Sequence, residues 1–403
     1  MTTAQRIRKL ASAYSQHTSE NLSRMIAIPS PSAGEGDLIP VIAEMAHDAG
    51  FDEVRVDGLG NLLARVGGGP RVLAIDAHVD TVDTGDRSRW DDDPFSGRIT
   101  GGHVYGRGAV DQEGGAAAMI TAGRILRESG YDGSWTVWFT FTVMEEDCDG
   151  LCWNYLIEEE HLVPELAVIT EPTNLGIYRG QRGRMEIDVS FTGLSAHGSA
   201  PERGDNAIYH AARAALGIEA LNDRLRDDPF LGRGSVAVTE IRSSAASLCA
   251  IPDGAEIHLD RRLTWGETRK TALAEVAGIV MGDTAPSHPP RVSVPWYEKA
   301  GYTGLAYPQE SYFPTWKIDE HHPFLLAGAE TCRSLFAEEP RIGKWTFSTN
   351  GVAICGRHGI PTIGFGPGDE TLAHAPNERT PVEHLEKASA FYALLPWIME
   401  EEL

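Results

Sequence analysis

Four short apolar runs, at residues 72–75, 137–143, 167–169 and 363–365, each stop in residues that bind cations. The first runs into Asp76-Ala77-His78-Val79-Asp80, the second into Met144-Glu145-Glu146-Asp147, and the third into Thr170-Glu171-Pro172. The fourth passes through Gly366-Pro367-Gly368 to Ala373-His374-Ala375. Such runs read as buried strands, and helical patterns at 115–128 and 324–336 accompany them. Strands alternating with helices predict an α/β fold whose mixed, mostly parallel sheet is covered by helices on both faces. The carboxyl ends of strands in such a sheet share one rim, where ligands bind. That rim would gather His78, Asp80, Glu145, Glu146, Glu171 and His374. A fifth segment, Gly106-Arg107-Gly108-Ala109-Val110-Asp111, leads into the helix at Gly115 and adds Asp111.

The flanking and middle stretches complete the outline. The first 35 residues read as an amphipathic helix ending near Ile28-Pro29-Ser30-Pro31, followed by a helical stretch at 38–49 and a strand at 54–56. In Met185-Glu186-Ile187-Asp188-Val189-Ser190-Phe191-Thr192 every odd position is apolar and every even one polar, the pattern of a strand with one wet face. Helical stretches at 206–225 and 267–280 and strands at 236–241, 255–263 and 292–296 follow. The order β-α-β-β-α-β predicts a ferredoxin-like α+β unit inserted into the larger domain. The expected division is 1–182 with 298–403 for the larger domain and 183–297 for the inserted lid.

Taken singly, these residues have plain explanations: a hydrogen-bonded core histidine, a solvated acidic pair, an aspartate in a turn. Together they do not, because several carboxylates in one crevice repel one another unless a cation sits among them. Imidazole mixed with carboxylate suits zinc, with manganese or cobalt as substitutes. Six such groups exceed one tetrahedral ion and match two ions about 3.5–4 Å apart that share a carboxylate.

Composition narrows the partners. With 35 basic and 58 acidic side chains the net charge is −23, which repels phosphate backbones and anionic lipid. Nucleic-acid and membrane roles are excluded on that ground, leaving a small-molecule substrate. Five cysteines, an odd number, read as reduced thiols of a cytoplasmic protein. Residues 1–27 lack the apolar core and small-residue cleavage site of a signal peptide.

His78-Val79-Asp80, Gly106-Arg107-Gly108-Ala109-Val110-Asp111, Glu145-Glu146, Glu171-Pro172-Thr173 and Ala373-His374-Ala375-Pro376-Asn377-Glu378 resemble the successive signatures of the ArgE/DapE/aminoacylase/carboxypeptidase-G metallohydrolases. The likeness covers nearly the whole chain, lid included. Met144 to Trp153, Arg179 to Glu186 and Lys344 to Gly351 resemble the YgeY-like subgroup, hydrolases linked to selenium metabolism. The resemblance implies a zinc-exopeptidase-like catalytic domain in which His78 and Glu171 hold one ion, His374 and Glu146 the other, and Asp111 bridges them. It also implies that Asp80 orients His78, that Glu145 is the general base, and that the Asp111–Gln112 peptide is cis. A glutamate at 171 accompanies deacylases and carboxypeptidases in the family, so the implied reaction is hydrolysis of an N-acyl, N-carbamoyl or peptide-like amide of an amino acid. A dipeptidase of the same family is the alternative.

The resemblance assigns roles in and around the lid as well. His197, in Ser195-Ala196-His197-Gly198-Ser199, corresponds to the lid histidine that stabilises the oxyanion, often across a subunit boundary; a homodimer through the lid, or a tetramer, is implied. Asp260 and Arg262 share one face of a strand, as an ion pair within the lid or as the family's clamp on a substrate carboxylate. Asn350 falls where relatives place a polar substrate-binding group, and Gly366 and Gly368 are expected to offer backbone N–H groups to a carboxylate. A nucleophilic hydrolase would need a Gly-x-Ser-x-Gly elbow, which is absent around Ser199. A non-catalytic binding protein on this fold would be expected to have lost ligands or Glu145.

Overall fold

A computed structural model describes residues 1–282 and 288–402 of the chain. The larger unit begins with α1 (Thr3–Ile26), α2 (Leu38–Ala49), β1 (Glu53–Val56), β2 (Leu62–Val66), β3 (Arg71–His78), α3 (Glu113–Ser129) and β4 (Trp135–Thr142). It continues through α4 (Leu151–Glu158), β5 (Leu166–Ile169) and β6 (Ile177–Gln181). The lid consists of β7 (Gly183–Thr192), α5 (Ala207–Leu221), β8 (Ser235–Ser244), β9 (Gly254–Leu263), α6 (Arg269–Met281) and β10 (Arg291–Ser293). The chain then returns through β11 (Tyr312–Phe313), β12 (Trp316–Lys317), α7 (Pro323–Phe336), β13 (Ile342–Trp345), β14 (Thr362–Gly364) and α8 (Val382–Glu402).

The large sheet has the order β1-β2-β4-β3-β5-β14-β6-β12, with β13 also on β6. Its four central strands, β4, β3, β5 and β14, run parallel, and the flanking pairs β1–β2, β2–β4, β14–β6 and β6–β12 are antiparallel. Burial explains the sequence pattern. β5 is buried at every position and β4 at all but one, which requires cover on both faces and continuous apolar sequence. The four parallel strands therefore end on one rim, as their sequences predict.

The lid is a separate antiparallel sheet of order β8-β9-β7-β10 with a second hydrophobic core. Met185, Ile187 and Val189 of β7 and Ile257 and Leu259 of β9 meet Ile218 of α5 and Val276 of α6. Period-two alternation turns Arg184, Glu186 and Asp188 to the opposite face. Beyond the expected boundary at 297, β11 adds a further strand to β7. Among the described residues no helix is long and apolar enough to cross a membrane.

Candidate metal centre

His78 is the last residue of β3, and its buried ring turns Nε2 to Asp111 Oδ1 at 3.0 Å and Glu171 Oε1 at 3.4 Å. His374 approaches the other Asp111 oxygen, Nε2 to Oδ2 at 3.1 Å, and also Glu146 Oε1 at 3.0 Å. Asp111 thus presents one carboxylate oxygen to each imidazole. The Asp111–Gln112 peptide is cis. Ligand atoms of His78, Glu145 and Glu171, and again of His78, Asp111 and Glu146, lie within 4.8 Å of one another.

Electrostatics marks the cluster as a cation site. Burial first, then Asp111, pushes Glu171 up to about 8 and Glu146 up to about 7. Burial likewise raises Glu145 well above the usual carboxylate range. His374 is pushed up to about 10 by Asp111 and then Glu146. Burial opposes charge on His78, but Asp111, Asp80 and Glu171 outweigh it and hold the ring well above its ordinary value. Asp111 is held low: burial works against its charge and the two histidines overcome it. Glu145 Oε1 and Glu171 Oε2 are buried with no hydrogen-bond partner among the described residues. Unfilled carboxylate oxygens beside two imidazoles fit a divalent cation of the zinc type, and protons substitute for it poorly.

The loops that carry these groups are held by other acids. Asp80 accepts from the Glu145 N–H at 3.1 Å, the Glu146 N–H at 3.0 Å and the Ser32 hydroxyl at 2.6 Å. His78 Nδ1 is held by the Asp80 carbonyl at 2.8 Å, whereas the Asp80 carboxylate stands 3.5 Å away. Asp80 therefore orients His78 mainly through its backbone, and its carboxylate fixes the Glu145–Glu146 turn. Buried Glu35 accepts from the Met144 N–H at 3.0 Å, where the chain leaves β4 with φ +62. Glu378 accepts from the Val110 and Asp111 N–H groups at 2.7 and 3.0 Å and pairs with Arg107 at 2.5 Å. Arg107 also donates to the His374 carbonyl at 3.3 Å, so one ion pair ties both loops that meet at Asp111.

A cavity of about 290 Å³ opens onto this cluster, at the small end of the roughly 300–1,000 Å³ usual for ligand pockets. Asp111, Glu145, Glu146, Glu171 and His374 line its acidic end; Arg262 and Arg184 of the lid also line it. Arg262 is held by Asp260 through Nε at 2.7 Å and Nη2 at 3.0 Å, so the ion pair within the lid and the place in the cavity coexist.

Two expectations change, those for Asn350 and for the two glycines, and the one for His197 narrows to a second copy of the chain. Asn350 is buried, and its amide is spent inside the fold: it donates to Asp76 at 2.9 Å and Thr142 at 3.2 Å and accepts from the Gly150 N–H at 3.0 Å. It is a tie between β3 and the loop after β4, not a group in the cavity. The Gly366 N–H donates to Thr173 Oγ1 at 2.9 Å, and the Gly368 N–H to His384 Nδ1 at 3.3 Å, so neither is free for a substrate carboxylate. Gly366 is needed for another reason: a Cβ there would lie 2.1 Å from the Thr170 carbonyl and 2.2 Å from that of Glu171. His197 is exposed on the lid, bonded to Ser199 at 2.8 Å, and takes no part in the cavity of its own chain. Sequence reasoning passed over Arg107, Glu378, Glu35 and Arg184. Arg107 and Glu378 lie inside the quoted ligand segments, which was their one available signal.

A two-lobed α/β protein with clustered histidines and carboxylates at the ends of parallel strands is the framework of a metal-dependent hydrolase. Residues 74–397 match the model of peptidase family M20/M25/M40, and the chain belongs to that family. It is 47% identical to the YgeY protein of Escherichia coli K12 over 390 residues, covering 96% of each chain. It is 26% identical over 386 residues to a succinyl-diaminopimelate desuccinylase of Magnetococcus marinus, covering 92% of this chain and 95% of the relative. The fold superposes on the YxeP protein of Bacillus subtilis, a dinuclear metal-binding peptidase, with a TM-score of 0.71 at 17% identity, covering 97% and 100% of the two chains. The protein is a metallohydrolase acting on peptide or amide C–N bonds.

Proposed function

We propose that the chain is a two-metal amidohydrolase of the deacylase or carboxypeptidase type, acting on a small N-acyl, N-carbamoyl or peptide-like amino acid that bears a carboxylate. The observation that carries this reading is Asp111, one oxygen toward His78 and the other toward His374. His78 with Glu171, and His374 with Glu146, would hold the two ions, with Asp111 between them. Divalent cations there, zinc by donor set and manganese or cobalt as substitutes, would polarise the scissile carbonyl and acidify the attacking water.

Glu145 is the proton carrier. Its Oε1 is buried, unpartnered and on the wall of the cavity, and burial raises its pKa, as a base that must take a proton from water and return it to the leaving nitrogen requires. Arg262 holds the substrate carboxylate at the other end. His197 would reach a site only in a second copy, where it would donate to the developing oxyanion. A homodimer is supported by the exposed apolar side chains Tyr209 and Leu216 of α5 and Ile241 on the edge strand β8.

The test combines metal analysis with a panel of N-acyl, N-carbamoyl and dipeptide substrates on wild type and Glu145→Ala. The variant should keep two metals per chain while kcat falls by about 10²–10⁴-fold. Normal turnover in Glu145→Ala, or activity indifferent to chelators, would refute the reading.

A further inference from the structure

Arg184, the second residue of β7, lies directly opposite Arg262 of β9, the two being cross-strand partners on the polar face of the lid sheet. Two guanidinium groups side by side repel unless something anionic lies between or beside them. Arg262 spends Nε and Nη2 on Asp260 and, among the described residues, donates no hydrogen bond from Nη1. Arg184 is more exceptional. Its side chain is only 20% exposed, yet among the described residues it donates no hydrogen bond, and its buried Nε has no hydrogen-bond partner. Its neighbours stand at ion-pair distance only: Asp149 Oδ2 at 3.5 Å and Glu186 Oε1 at 3.7 Å. Phe313, 4.6 Å beneath the guanidinium, supports it without accepting from it. A half-buried guanidinium with unfilled donors is costly, and here it lines the same cavity as Glu145 and His374.

We propose that Arg184 is a second substrate-binding residue, which with Arg262 clamps the carboxylate of the substrate across the β7–β9 pair. This rests on the hydrolase reading above. Asp149 and Asp260 then act as counter-charges that hold each guanidinium in place, leaving Nη1 of both for the ligand. The cavity becomes polarised, with its acidic end for the scissile amide and its two-arginine end for the carboxylate. A substrate lacking that carboxylate leaves both donors unfilled, so the pair sets specificity as well as affinity.

The experiment uses matched pairs of N-acetyl, N-carbamoyl and glycyl amino acids, each as free acid and as C-terminal carboxamide. They are assayed on the metal-loaded parent, Arg184→Gln, Arg184→Lys and Arg262→Gln. On the best free acid, Arg184→Gln should raise KM by about tenfold or more with kcat within about threefold. The acid-over-amide preference should fall by the same factor, Arg184→Lys should recover part of it, and metal content and melting temperature should stay at the parent's. An unchanged acid preference in Arg184→Gln overturns the assignment. So does an equal loss of kcat on acid and amide, which is the mark of a merely structural residue. If Arg262→Gln abolishes the preference and Arg184→Gln does not, the proposed function stands and only this inference falls. A parent that hydrolyses acids and amides equally, or neither, overturns both.

Discussion

Glu378→Gln isolates the charge in the ion pair that joins the two sides of the metal centre. Glu378 and Arg107 are buried, and the contact between them is 2.5 Å. Glutamine keeps an oxygen for the Val110 and Asp111 N–H groups but leaves the Arg107 guanidinium with carbonyls alone, those of Asp83 at 3.4 Å and His374 at 3.3 Å. Breaking a buried pair from one side costs about 3–5 kcal/mol. For a chain of 403 residues melting as one unit, that lowers the melting temperature by roughly 4–6 °C. Because the pair holds the loops of both Asp111 and His374, zinc affinity should fall about 10–100-fold as well. Burial pushes Glu378 up to about 7 against the pull of Arg107, so the measurement belongs at pH 8, where the carboxylate is ionised. Calorimetry of the metal-free protein gives the stability term, and competition with a zinc chelator gives the affinity. The double variant Arg107→Met, Glu378→Gln should regain part of the loss, because no uncompensated charge remains. A cost under about 1 kcal/mol for Glu378→Gln, or a double variant as unstable as the sum of the two single ones, would refute the ionic coupling.

Two further outcomes follow from the same centre. In the metal-free protein Glu146, Glu171 and His374 have folded values of about 7, 8 and 10, all above their ordinary values. At these three groups the folded chain therefore binds more protons than the unfolded one, so the stability they contribute is lost as pH rises from about 5 to 10. Metal needs the deprotonated ligands, so its protective effect should grow over the same range. Melting curves of chelated and zinc-loaded protein across that range test this, and a metal-free protein that grows more stable with pH would contradict it. Asn350→Leu should cost about 2–4 kcal/mol, because Asp76 and the Gly150 N–H lose a buried partner. Its effect on KM should be under about threefold; a large rise in KM with unchanged stability would return Asn350 to the substrate.

The parallel strands and the residues at their ends were legible because the signal is local: an apolar run, then a polar stop. The lid was legible from period two in β7 and from element order. Other elements carried no such signal. β6 reads Ile-Tyr-Arg-Gly-Gln without a period, and α8 is buried along much of its length, with Pro396 inside it, so neither shows an amphipathic face. Arg184 lies one residue before the alternating run that begins at Met185, and nothing in that pattern marks it; the face it occupies closes over the cavity. Asn350 failed for a different reason. Its motif position is compatible with a substrate contact, but Asp76, 274 residues away, already holds its amide.

That difference exposes a limit of reading acids at strand ends. This centre uses carboxylates in two ways, and composition does not separate them. Asp80 and Glu378 have their oxygens filled by backbone N–H groups, a hydroxyl or a guanidinium, so they position the loops. Glu145 and Glu171 each keep a buried oxygen that nothing in the described chain satisfies. An acid whose oxygens are satisfied internally has little left to offer a cation, whereas an unfilled buried oxygen on the cavity wall is open to a group from outside the chain. Arg107 is engaged through both Nη groups and leaves only Nε without a partner, whereas Arg184 donates no hydrogen bond among the described residues. Around this centre, how far a side chain's hydrogen bonds are filled, together with its place on the cavity wall, says more than residue type about which groups face a ligand.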